Sequence, residues 1–189
     1  ITVTLCHLMR GEIALAERAL AVEEQGIPDG HLMLRANVHY ERSWWFALQR
    51  DVVSAQRELD TACRLFAQID EHGVMSLATP SMQAQLLLQV GEYASARRVF
   101  EMRTRRPDAW LVDIALIESL AALAQGDNSR AVAELRNGLS VAARIDIKGC
   151  LWACRPELIR LLELAKEHDI ETVWVNTTIQ ARQLEANLP

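Results

Sequence analysis

No stretch of this 189-residue chain stays apolar for the roughly 18 to 20 residues that a membrane-spanning helix needs. The longest apolar runs, 114–117 and 120–124, are broken at Glu118, so no membrane segment is expected. Basic residues are in deficit, with 20 Lys and Arg against 25 Asp and Glu and a net charge of -5. Nucleic-acid binders usually carry a basic face, so direct nucleic-acid binding by this segment is not expected. Cysteine is sparse: Cys6, Cys63, Cys150 and Cys154 lack the dense framework of a secreted mini-domain, which points to reduced thiols and a cytoplasmic protein. The chain begins at Ile1 with no basic and then apolar leader, and reads as a piece of a longer protein.

Catalytic signatures are missing as well. There is no Gly-rich phosphate loop, nucleophile elbow or His-Glu-x-x-His, and the five histidines are spread along the chain. Adjacent acids such as Glu23 and Glu24 point in different directions on a helix. Cys150, Cys154 and His168 supply three soft ligands where a closed zinc site wants four, so the thiols read as small buried hydrophobes. The expectation is a protein that is not an enzyme and holds no cofactor and no metal.

What the chain does have is a repeated word, Gly-acid-x-x-x-Ala. It occurs at Gly11-Glu12 with Ala16, at Gly91-Glu92 with Ala96 and at Gly126-Asp127 with Ala131, and Arg50-Asp51 with Ala55 keeps the spacing with Arg in place of Gly. The first residue suits a left-handed helix stop, and the acid suits the positive N-terminus of the helix that follows. Twelve residues before each alanine stands Thr4, Ser43, Ala84 or Ser119, all small, as close packing between two helices requires. Apolar residues at helical spacing flank the words, as in Leu86, Leu87 and Val90 before one turn and Ala96, Val99 and Phe100 after it. The pattern predicts an all-α chain of antiparallel helix hairpins over about 1–26, 31–70, 80–106 and 108–145. Further C-terminal helices follow over about 150–186. Thr79-Pro80 and Asp108 mark helix starts, and the longer spacing between the second and third turns leaves a loop near 73–79.

With Ala84, Gly91, Tyr93, Ala96, Phe100 and Pro107, the third hairpin resembles the tetratricopeptide repeat. The resemblance implies a single TPR-like domain over 1–189, a right-handed superhelix of about four repeats plus C-terminal helices. The stretch from Arg155 to Ala165, the Glu167-His168-Asp169-Ile170-Glu171 turn and the last helix through Leu184 are similar to the end of the repeat region in MalT-like, LuxR-type bacterial transcriptional activators. That likeness implies a sensor for transcription regulation, with nucleotide-binding and DNA-binding modules elsewhere in the parent. Thr177, Thr178 and Gln180 depart from the basic residues common there. The alternative from another class is a general scaffold that takes a peptide or partner helix in its groove.

Such arrays usually bind on the concave side, lined by the first helix of each pair. Positions 11 and 15 residues before each alanine give Leu5, Tyr40, Trp44, Ser81, Gln85, Leu116 and Leu120. With Asn37 and Gln89 as added polar groups, the candidate contact residues are Asn37, Tyr40, Trp44, Gln85, Gln89, Leu116 and Leu120. Tyr40 and Trp44 offer rings for stacking, while Trp45 and Phe46 read as core. Arg97, Arg98, Arg103, Arg105 and Arg106 read as solvation of a helix end. The implied partner is a small-molecule effector or a protein, with self-association through open repeat ends as a further possibility.

Overall fold

A computed structural model describes residues 3–69, 79–101, 108–151 and 154–184. The described residues form helices joined by short connections, with no strand among them. They form α1 (Val3–Arg10), α2 (Ile13–Gln25), α3 (Leu32–Leu48), α4 (Val52–Ile69), α5 (Thr79–Gln89), α6 (Tyr93–Glu101), α7 (Asp108–Ala124), α8 (Asn128–Arg144), α9 (Arg155–Glu167) and α10 (Thr172–Ala181). The loop expected near 73–79 falls, up to residue 78, outside the described residues. Arg103, Arg105, Arg106, Pro107 and the end of the chain lie outside them too.

Each turn word joins two helices by the same local geometry. Gly11, Arg50, Gly91 and Gly126 all sit in the left-handed region, at φ of 73°, 65°, 80° and 77°. The amide of the following acid then reaches back five residues, from Glu12 to His7, Asp51 to Phe46, Glu92 to Leu87 and Asp127 to Ala122, at 2.9–3.1 Å. That bond, with the one from the left-handed residue to the carbonyl three back, satisfies helix-end carbonyls that would otherwise be orphaned. The acid's own carbonyl accepts the first bond of the next helix, from Ala16, Ala55, Ala96 or Ala131. Asp51 and Asp127 also cap with their side chains, taking the amides of Ser54 and Arg130 at 3.0 Å. Glu12 instead meets His7 Nδ1 at 2.5 Å.

The left-handed glycines give a clean prediction. A Cβ at Gly91 or Gly126 would meet nothing within 4 Å, so alanine there suffers backbone strain alone. Each substitution is expected to cost about 1 kcal/mol, read as a lower urea midpoint with an unchanged slope.

The small positions all lie inside. Thr4, Ser43, Ala84 and Ser119 are buried, as are Ala16, Ala55, Ala96 and Ala131. In the fourth pair the two positions meet directly, with Ser119 Oγ donating to the Ala131 carbonyl at 2.8 Å. Helices pack in chain order, each against the next, and α1 also touches α3, α5 touches α7 and α7 touches α9.

α5 divides the interior. Met82 and Leu86 face a core shared with Leu8, Trp44, Ala47 and Leu59. Ala84 and Leu88 face a larger one with Phe100, Trp110, Leu135, Leu158 and Trp174. Residues two apart on a helix point to nearly opposite sides, so one short helix serves both cores. The larger core runs into α9 and α10 through Leu158, Leu161, Leu162, Trp174 and Ile179. Burying side chains of this size stabilises by roughly 1.5–3 kcal/mol each, which makes these two helices an integral part of the packing.

The start of α9 also gathers the hairpin turns. Arg155 donates to the Met9 carbonyl at 3.3 Å, to that of Arg182 at 3.3 Å and to that of Gln183 at 3.2 Å. Arg50 bonds Glu157 at 2.8 Å and reaches the Gln89 carbonyl at 3.4 Å. Left-handed Arg50 therefore has a cross-chain use that glycine would lack.

Candidate functional site

The seven predicted contact residues divide by exposure. Asn37, Tyr40 and Gln89 are half-buried and keep some surface. Trp44 is 5 % exposed, Gln85 2 %, Leu116 0 % and Leu120 2 %. These four concave-face candidates are buried beneath other parts of the chain. Leu116 and Leu120 share a core with Cys150, Leu151, Cys154 and Leu158. The Cys154 thiol donates to the Gln85 carbonyl at 3.2 Å. Trp44 packs with Leu8, Leu59 and Met82 and meets the Tyr40 ring edge to face, at 5.9 Å between centroids. Gln89 donates to the Ala47 carbonyl at 2.8 Å, tying α5 to the end of α3.

The helices of this face also hold buried polar groups. Asp113 on α7 is buried and accepts from Ser81 Oγ on α5 at 2.5 Å. Burial pushes its carboxyl up to about 6, against the pull of the bonds from Ser81 and from the Leu151 amide. Burial likewise raises the Tyr40 hydroxyl above its ordinary range, with nearby acids adding to the effect. The two thiols follow the same rule: Cys150 is pushed up to about 12 and Cys154 well above its ordinary value, chiefly by burial. Thiols so raised stay protonated and are weak nucleophiles at neutral pH. Among the described residues no group of three or more His, Cys, Asp and Glu is arranged to hold a metal ion. No helix of the described residues is long and apolar enough to cross a membrane.

Sequence reading passed over Asp113 and Arg182. Arg182 is 1 % exposed, with one guanidinium nitrogen donating to the Cys150 carbonyl at 2.7 Å. Burial draws its pKa down to about 10. Asp113 did leave a signal, as a lone acid inside the otherwise apolar run from Trp110 to Ile117. Arg182 left none, since its partner loop lies about thirty residues away.

Open space lies elsewhere. A crevice of about 780 Å³ runs between α6, the second half of α7 and the start of α8. Its apolar walls are Tyr93, Ala94, Ile117 and Ala121. Its rim is a charge ladder: Arg97 and Arg130 grip the two oxygens of Glu118 at 2.9 and 2.7 Å, and Arg97 also meets Glu101 at 3.1 Å. Arg97, expected to solvate a helix end, thus pairs across two hairpins. The cavity falls within the usual range for small-molecule sites, which is about 300–1,000 Å³.

Comparisons with protein families, with curated proteins and with solved structures return no significant match to this chain.

Proposed function

We propose that this chain is a binding module of the tetratricopeptide-like kind, its hairpins stacked in a right-handed superhelix. In this reading it is the sensor region of a MalT-like, LuxR-type transcriptional regulator working in the cytoplasm. The observation that supports the binding role is the turn repeated four times, with its left-handed residue, acid and buried alanine. A supersecondary unit copied along a chain stacks into an extended array, and such arrays present broad contact surfaces. The regulator assignment rests on the sequence likeness of the C-terminal stretch, Arg155 to Leu184.

The effector meets the part of the predicted face that keeps surface, at Asn37, Tyr40 and Gln89. It acts by binding two arrangements of the parent protein with different affinity, since equal affinity shifts nothing. Fluorescence titration against a metabolite library is the test, followed by Tyr40→Ala with the fold checked by circular dichroism. A loss of about tenfold in affinity supports this face, and an unchanged titration moves the contact away from it. For the regulator role, a parent reading frame lacking both a nucleotide-binding loop and a helix-turn-helix would contradict the assignment.

One observation favours the scaffold reading. The crevice beside α6 alternates Arg97, Glu118 and Arg130 over small apolar walls, a surface suited to a polar peptide or partner helix. On this reading Arg97→Ala weakens partner binding while Tyr40→Ala leaves it unchanged.

A further inference from the structure

We propose that the crevice between α2 and α3 is a binding site for an organic cation, an ammonium or guanidinium group held between the Glu17 carboxylate and the rings of Trp45 and Phe46. Glu17, Ala21 and Glu24 fall at i, i+4 and i+7 on α2, so they share one face, and that face meets Arg42, Trp45 and Phe46 of α3. The crevice is open to solvent and offers about 210 Å³. That is below the range of drug-sized pockets and suits a single head group or the end of a basic side chain.

The rings are fixed in place. Trp45 Nε1 donates to the Ile13 carbonyl at 3.1 Å, and the Trp45 and Phe46 rings meet edge to face with centroids 4.9 Å apart. Both remain half-buried, and both line the crevice. Charge decides the sign of the ligand. Arg42, the crevice's own cation, spends its charge on Glu24 at 2.8 Å and on Glu58 at 4.0 Å. Glu17, exposed on the same rim, has no ion-pair partner among the described residues. An unmatched carboxylate beside aromatic rings attracts a cation and repels an anion. A hard metal ion would need several oxygen ligands at once, which this rim does not gather. A head group that buries its methylene or methyl surface against the rings satisfies both features.

The site stands apart from the face around Tyr40 and from the α6 crevice, and holds or fails independently of the regulator assignment. The test is ¹H–¹⁵N NMR of the Trp45 indole, assigned by Trp45→Phe and titrated with tetramethylammonium chloride. Sodium chloride and tert-butanol serve as the charge and shape controls. A saturable shift of the Trp45 indole with a millimolar dissociation constant is expected, with neither control reproducing it. Glu17→Gln, at an exposed position, is expected to weaken binding roughly threefold to fivefold while the other indole signals stay in place. A linear, unsaturable drift, an equal response to tert-butanol, or a Glu17→Gln titration matching the unmodified chain would overturn the assignment.

Discussion

At pH 8 the Asp113→Asn variant is expected to be more stable than the unmodified chain by about 2 to 3 kcal/mol, and at pH 4 the difference is expected to shrink to below about 1 kcal/mol. Burial lifts the Asp113 carboxyl to about 6 in the folded chain, whereas an unfolded chain returns it to roughly 3.9. Between those pH values the folded state holds a proton that the unfolded state has lost. Stability from this group therefore rises as pH falls from 6 toward 4, and above pH 6 the folded chain bears the full cost of a buried charge. Asparagine has nearly the same shape and never ionises. Its carbonyl can accept from the Leu151 amide and its amide can donate to Ser81 Oγ, so the contacts between α5, α7 and the loop before α9 persist. Urea unfolding of both proteins across this range measures the difference. A constant offset at every pH would show that Asp113 is not the titrating group.

The second large effect belongs to α7 and α8. An added Cβ at Gly138 would lie 2.9 Å from the Ala115 Cβ and 3.7 Å from Leu116 Cδ2, with the Val112 carbonyl 3.6 Å away. None of these neighbours is the end of a long flexible chain, so the two helices themselves must separate. Gly138→Val is expected to cost roughly 3 kcal/mol through overpacking. The same change in an Ala115→Gly background should cost less by about 1 kcal/mol or more, because the nearest atom has been removed. Thermal or urea unfolding of the four proteins in this cycle measures the coupling. Additive costs would mean that the two positions do not touch.

Neither Asp113 nor Gly138 was read from the sequence, whereas the hairpin turns were. The turns could be read locally: the word predicts a left-handed residue, and all four positions, including Arg50, adopt it. Other helix ends use the same geometry without the glycine, with Asp146 at φ 51° and Asp169 at φ 50°, and the word gave no notice of them. Asp tolerates this conformation better than most side chains, which is the only hint its type provides. Burial of Thr4, Ser43, Ala84 and Ser119 followed from spacing alone. Exposure of the candidate face did not. Helical register shows which of Trp44, Gln85, Leu116 and Leu120 share a side, but not what later folds across it. The contact that decides the matter, Cys154 on the Gln85 carbonyl, joins residues 69 apart. No periodicity carries information over that distance.

Arg182 illustrates the same limit in electrostatic terms. Its Nε and one terminal nitrogen are buried without a hydrogen-bond partner among the described residues, a placement that sequence pattern argues against for an arginine. The carbonyls of Lys148 and Cys150, which bring the side chain inward, belong to a loop that no helical pattern marks.

Under the function proposed above, the chain would act by binding in the surfaces and crevices between its helices, without chemical change to what it binds. The most direct measurement is ¹H–¹⁵N chemical-shift mapping of the chain against a metabolite library, with each compound checked for conversion in the same tube. The predicted result is a saturable shift confined to one surface, at Asn37, Tyr40 and Gln89 or along Tyr93, Arg97 and Arg130, with the compound recovered unchanged. Conversion of a compound, or no localised shift with any of them, would contradict it.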